Sequence, residues 1–446
     1  MKKQRIDLLN GPIYQQILLF FFPIMLGTFF QQLYNTVDAI VVGNFVGKEA
    51  LGAVGGSTGT LINLLIGFIN GLASGATVVI AQSFGANDRK GVKDGVKSGM
   101  FLGIVLGAVL MVLGIALTPK LLHTLNVPNE VFVYSKTYMQ IYLIGLVPTM
   151  IYNVGSGILR AVGDSKRPLY FLVVSCLVNI VLDVVLVAIF KFGIIGVAIA
   201  TVISQFAAAF LVAIVLGKKD AVYYYDIQKD FGYDRDVLKK IVIIGLPMGV
   251  SSILYSVSNL FIQSKVNIFG TDSIAAYTAF GKIDAIFWMI SNAYGAATVT
   301  IVGQCYGAKK YNRVKKATWT ACLMYSVTTI FISLVCCLLG RFLYGLFTKD
   351  SEVIRIGMDM MLMLAPFWVT FVFVEILSCT IRACGESLKP TIITAISICV
   401  LRVIWILFYP SNTVIETLYC YPLTWIITSI LFLIYFLKGS WLKKQA

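Results

Sequence analysis

The sequence has 446 residues, 58% of them hydrophobic and 13% charged, with a mean hydropathy of +0.86 and a net charge of +15. That balance excludes a soluble domain and indicates a polytopic membrane protein. The basic excess does not read as a nucleic-acid interface, because it falls in short clusters between apolar segments, as topology signals do.

In chain order the apolar runs predict twelve spans, near residues 15–42, 50–82, 95–118, 131–160, 168–190, 194–216, 239–268, 273–305, 316–340, 353–383, 390–409 and 413–437. Several exceed the roughly 20 residues that cross a bilayer, so tilted or projecting helices are expected. The start, MKKQRIDLLN, imitates a signal-peptide n-region, but no small-residue cleavage site precedes Asp38, so it reads as a retained first helix. Pro23, Pro148, Pro247 and Pro366 lie inside spans and are expected to kink or locally unwind them. Basic clusters recur at Lys2/Lys3/Arg5, Arg89 to Lys97, Lys166/Arg167, Lys218 to Lys240, Lys309 to Lys316 and Lys438/Lys443/Lys444. The positive-inside rule then puts both termini in the cytoplasm, with the chain multi-pass in the cell membrane. The polar, tyrosine-rich loop is expected to link two halves, giving an N-lobe at 1–217, a cytoplasmic linker at 218–238 and a C-lobe at 239–446.

The halves repeat. QSFGANDRKGVK from Gln82 answers to QCYGAKKYNRVK from Gln304, and GILRAVGDSKRP from Gly157 to CTIRACGESLKP from Cys379, both 222 residues apart. Six spans per half imply equal orientation, hence a parallel repeat about an axis along the membrane normal and a cavity between halves. The predicted fold class is an all-α integral membrane protein of twelve transmembrane helices in two six-helix lobes.

The repeat fails at the acids. Asp183 corresponds to Trp405, and the residue as far beyond Pro247 as Asp38 is beyond Pro23 is Ile262. Asn179 and Asp183 are one turn apart on one helix face within VNIVLD. An ionisable group near mid-membrane costs roughly 2.5–3.5 kcal/mol on insertion scales, so it normally faces a partner or an ion path. Asp38 and Asp183 are therefore expected to face each other. Two carboxylates sharing a low-dielectric site cannot easily both ionise. They carry a proton, or with oxygens of Asn179 and Thr201 they hold a sodium ion; the plainer reading is that each merely bonds a neighbouring helix.

Other intramembrane polar groups divide into two sets. Gln31, Tyr34 and Asn35 on span 1, with Tyr138 and Asn153 on span 4, could line a substrate cavity for organic cations, or serve ordinary helix–helix hydrogen bonding. Glu375, Asp284 and Lys282 are a second candidate site, although Lys282 and Asp284, at i and i+2, do not face each other; Glu375 either pairs with Arg402 or has a transport role. The Gly-rich stretch of span 2 reads as close helix packing. His123 is the single histidine, the nine cysteines show no metal spacing, and no Walker A sequence is present. No enzyme constellation is found, and no cofactor is expected beyond H⁺ or Na⁺ as coupling ion.

QLYNTVDAIVVGNFVG (Gln32 to Gly47), the two Q-x-[FY]-G-A segments, the two R-A-x-G-[DE]-x-x-x-P turns and VNIVLD with GIIGVAIATVISQ (Gly193 to Gln205) carry a family resemblance. Over essentially its whole length the chain resembles the bacterial multidrug and toxic compound extrusion (MATE) transporters of the norfloxacin-efflux and DNA-damage-inducible branches. The resemblance implies a two-lobed, twelve-helix exporter with a V-shaped central cavity, exchanging organic cations for protons or sodium. It implies a cation site at Asp38, Asn179, Asp183 and Thr201, and drug contacts at Gln31, Tyr138 and Asn153. One departure is visible: Tyr255 stands about where some branches carry a helix 7 acid, so Glu375 lacks that partner.

The expected function is thus a cation-coupled multidrug antiporter working by alternating access, with small organic cations and the bilayer as partners. No nucleic acid and no obligate protein partner are expected. The alternative is a flippase for a lipid-linked saccharide, which would want a strongly cationic cavity where this sequence has scattered Lys and Arg.

Overall fold

Apolar runs of this length can satisfy their backbone polar groups in lipid only by closing them within helices. The computed structural model describes residues 7–125 and 127–442, and among them there is no β-strand. The basic groups at Lys2, Lys3, Arg5, Lys443 and Lys444 lie outside the described residues. Among the described residues eleven helices are long and apolar enough to cross a membrane. A bent pair, Asn129–Ile144 and Leu146–Ala161, meets at 47° and makes the twelfth span. In order, spans 1 to 6 are Ile13–Phe45, Lys48–Gly85, Arg89–Thr124, this bent pair, Lys166–Ile189 and Gly193–Leu216. Spans 7 to 12 are Arg235–Phe269, Thr271–Gly307, Tyr311–Gly345, Ser351–Ala383, Leu388–Phe408 and Val414–Lys438.

The repeat is written in the backbone of the turns. Asn87 and Lys309, which are 222 residues apart, share a left-handed φ of 57°. Each amide reaches back three residues, to Phe84 and Tyr306, and the next amide reaches back five, to Ser83 and Cys305. Gly163 and Gly385 likewise share φ of 95° and 93°, with matching bonds to the carbonyls of Arg160 and Arg382. These left-handed closures satisfy carbonyls that a helix end leaves open.

The prolines act unequally. Pro366 sits in a 3-10 turn, Ala365–Phe367, and Pro148 in the first turn after the break of span 4. Pro23 and Pro247, by contrast, lie inside helices that run on without local unwinding, the other of the two outcomes expected of a proline there. Two further irregularities carry no sequence signal: π-helical turns at Val184–Ile189 and Ala395–Val400, in spans 5 and 11.

Compactness divides the chain differently from the repeat. One unit is Phe22–Gly249; the other joins Leu8–Phe21 to residues 250–442. The reason lies in packing inside each unit. In the first, Gly71 and Gly75 of span 2 meet Gly245 and Gly249 of span 7 so closely that a Cβ at Gly71 would strike the backbone of Gly249. Small residues at such a seam let helix backbones approach within lipid, which is the packing role expected of the Gly-rich stretch. The loop before span 7 is docked there too. Arg167 Nη1 donates to Tyr223 Oη at 2.6 Å, Phe101 packs on Phe231 and Tyr233, and the Asp234 amide donates to Ser98 Oγ at 3.0 Å. In the second unit Arg313 donates to the carbonyl of Leu8 at 3.1 Å and to Gln16 Oε1 at 3.0 Å, tying down the start of span 1.

Candidate functional site

In the first unit, span 1 supplies Asp38, span 5 supplies Asn179 and Asp183, and span 6 supplies Thr201. The four side chains come together: Asp38 faces Asp183, Asn179 and Thr201, and the Thr201 hydroxyl lies 3.4 Å from Asp38 Oδ2. Thr201 also donates at 3.0 Å to the carbonyl of Val197 one turn back, so its hydroxyl is divided between two acceptors. All four residues are buried, Asn179 and Asp183 completely. Asp183 is the last α-helical residue before the π turn at Val184–Ile189, a distortion that often marks functional sites.

The site is short of hydrogen bonds. Asp38 Oδ1, both oxygens of Asp183 and both amide atoms of Asn179 are buried without a well-formed hydrogen bond. Two facing carboxylates have only acceptors to offer one another, and a buried charge without partners is costly. A proton shared between them, or a hard monovalent cation among their oxygens, removes that cost. The donor set of two carboxylates, an amide and a hydroxyl is chemically suited to either.

Beside the acids lies a polar cavity of about 70 Å³, lined among others by the expected Gln31, Tyr34 and Asn153 and by Tyr142, Tyr152 and Gln205. Two of its lining residues, Tyr34 and Gln205, stand one turn from Asp38 and Thr201 on spans 1 and 6. Two to three waters fill such a volume, whereas ligand pockets usually measure about 300–1,000 Å³. The remaining two residues expected at a substrate site stand elsewhere. Asn35 is exposed and bonds Gln32 Oε1 at 3.4 Å, and Tyr138 is buried against Tyr142 beside the acids rather than on the cavity.

Sequence reasoning passed over Tyr142, Tyr152 and Gln205. Gln205 had a signal, being one turn beyond Thr201 on the same helix face. Its approach depends on Gly145, where a Cβ would occupy the place of Gln205 Oε1 at the break of span 4.

The second candidate site does not assemble. Among the described residues no hydrogen bond or ion pair joins Glu375, Asp284 and Lys282. Lys282 is exposed; Asp284 accepts from Trp288 Nε1 at 2.6 Å; Glu375 accepts from Cys379 Sγ at 3.3 Å, each acid bonding one turn along its own helix. Of the two readings of Glu375, the pairing with Arg402 is absent. The cation whose field reaches Glu375 is Arg382, two turns further along the same helix. Arg402, entirely buried, bonds Asn259 Oδ1 at 3.1 Å, Thr424 Oγ1 at 3.3 Å and Tyr255 Oη at 3.4 Å instead.

Comparison with known proteins agrees with this architecture. The MatE family model matches residues 23–185 and again 247–407, corresponding stretches of the two halves. A probable multidrug resistance protein of Bacillus subtilis, YoeA, is 29% identical over 443 residues, covering 97% of this chain and 95% of its own. A second from the same organism, YpnP, is 28% identical over 405 residues, covering 91% and 88%. A solved outward-facing multidrug resistance MATE family transporter of the MOP superfamily is 25% identical and superposes with a TM-score of 0.91 over 100% of both chains. With two matched segments spanning most of the sequence, an all-helical membrane fold and a shared architecture, the chain belongs to the MatE family of transporters.

Proposed function

We propose that this protein exports organic, mostly cationic compounds across the cell membrane, in exchange for protons or sodium ions bound at Asp38 and Asp183. The observation that carries the reading is the facing pair of buried carboxylates, with Asn179 and Thr201 beside them and several oxygens lacking a donor. Such a site binds a small cation, and a cation bound there changes which arrangement of spans 1, 5 and 6 is favoured. The names of the Bacillus relatives, both probable multidrug resistance proteins, support efflux of small molecules as the task.

The polar cavity beside the acids supplies the link. Tyr34 stands on the cavity wall one turn before Asp38 on span 1, so a cation held at the carboxylates alters the potential felt by a positively charged substrate near Gln31 and Asn153. In its present volume the cavity takes water, so substrate binding requires the surrounding helices to part. Glu375 is given no coupling role in this reading, and both termini are assigned to the cytoplasm.

The test is efflux of ethidium by purified protein in liposomes, under an imposed pH gradient or an imposed sodium gradient. Gradient-dependent ethidium movement supports the reading and identifies the ion. Ethidium movement indifferent to both gradients, or none at all, contradicts it.

A further inference from the structure

The second unit holds a buried charge that cation exchange in the first unit does not use. Arg402 follows the π turn Ala395–Val400 in span 11 and is wholly buried. Its three hydrogen-bond acceptors, Asn259, Thr424 and Tyr255, are all neutral. Their distances of 3.1 to 3.4 Å exceed the roughly 2.7–2.9 Å of a bond between ions. The rings of Tyr421 and Tyr255 cover the guanidinium carbon at 4.3 and 5.0 Å. Among the described residues Arg402 makes no ion pair.

A guanidinium has five donors in a flat fork and stays charged at any physiological pH. At membrane depth it is normally paired with a carboxylate. Asp284 is the acid whose field reaches it, but Asp284 is turned to Trp288 and leaves Oδ1 buried without a partner. Arg402 is therefore a positive charge held in place by oxygens and ring faces, and not neutralised. Around it, Tyr255, Asn259, Tyr421 and Trp288 are each only half buried, so the guanidinium is covered by side chains that keep exposed surface of their own. Tyr255 and Asn259 share one helix face, as Tyr421 and Thr424 do another. The arrangement belongs to this half alone: the residues 222 positions earlier than Arg402 and Asp284 are Ile180 and Ile62.

We propose that Arg402 forms the floor of an anion-binding subsite in the second unit, which takes the carboxylate of aromatic organic acids. The carboxylate replaces the long bonds to neutral oxygens with two parallel bonds to the guanidinium fork, and the ring of the ligand packs against Tyr255, Trp288 and Tyr421. Asp284 opposes this binding by charge repulsion and so sets its strength.

The test is binding of 1-naphthylacetate against 1-naphthylacetamide to the full-length protein in nanodiscs, without any ion gradient. It is therefore read independently of coupling at Asp38 and Asp183. The two probes have the same ring and nearly the same size, so their affinity ratio isolates the carboxylate. Because a hydrogen bond to a charged group is worth about 1.5–3 kcal/mol, the wild type is expected to prefer the carboxylate by about tenfold or more. Arg402→Gln should bring the ratio to near one, Arg402→Lys should keep a reduced preference, and Asp284→Asn should raise the ratio above wild type. A wild-type ratio near one, or a preference that survives Arg402→Gln, overturns the proposal. If Arg402→Gln does not fold, the wild-type ratio and its direction of change in Asp284→Asn decide.

Discussion

The buried charges of the two units differ in sign and in company. In the first, two carboxylates face each other beside an amide and a hydroxyl, and five of the group's oxygen and nitrogen atoms lack a well-formed hydrogen bond. In the second, a guanidinium is enclosed by three neutral oxygens and two tyrosine rings, while Glu375 and Asp284 each bond a side chain one turn away on their own helix. The turns outside these sites match in dihedral angle and hydrogen bonding across 222 residues. Duplication thus preserved the closures that define the spans while the polar interiors diverged. A backbone turn is fixed by its own geometry, whereas a buried charge is retained only where something makes use of it.

The comparison can be broken most forcefully at helix packing. In the first unit Gly71 and Gly75 accept the backbone of span 7, while the residues 222 positions later are Ala293 and Ala297, which already carry a Cβ. Gly71→Ala should destabilise the protein by about 3 kcal/mol, because the obstacle is backbone that cannot rotate away. Ala293→Gly should cost only about 1 kcal/mol, the helix-propensity difference. Thermal unfolding of both variants in the same detergent measures the contrast, and equal losses would remove it.

Coupling gives the next largest effect. Thr201→Val removes the hydroxyl beside Asp38 while keeping shape, and should weaken coupling-ion affinity by about tenfold, as loss of a supporting group at an ion site commonly does. The ion concentration giving half-maximal efflux reports it. Glu375→Gln in the second unit should change gradient-driven efflux by less than about twofold, since its bonding is to Cys379 on its own helix and the amide can keep that bond. A large loss in Glu375→Gln with none in Thr201→Val would reverse the assignment of the two units. The smallest effect belongs to the exposed Glu352–Arg355 pair, where Arg355→Ala should leave the thermal unfolding midpoint in the same detergent unchanged, because solvent screens such a pair.

Much of this was legible in the sequence, and what was not has a common cause. The twelve spans followed from apolar length, the repeat from two motif pairs at one spacing, and the meeting of Asp38 with Asp183 from the cost of leaving either alone in lipid. The π turns were invisible, because an extra residue per turn leaves composition and periodicity almost unchanged. One of them, Ala395–Val400, immediately precedes the turn that carries Arg402, which bonds Asn259 and Thr424 and not Glu375. The boundary of the compact units was hidden for a similar reason. The loop 218–238 looks like a linker by polarity, but Tyr223, Phe231 and Asp234 bind it to the first unit through contacts whose partners are distant in sequence. Tyr142, Tyr152 and Gln205 were missed because polar residues on apolar helices usually serve helix contacts, and they meet at one cavity beside the break of span 4.

The central claim is that the coupling ion sits at Asp38 and Asp183. Ethidium efflux from liposomes, with wild type, Asp38→Asn, Asp183→Asn and Glu375→Gln compared under the gradient that drives the wild type, tests it most directly. The account predicts that each of the two Asn variants falls to the level of empty liposomes while Glu375→Gln stays close to wild type. Gradient-driven efflux retained by both Asn variants would contradict it.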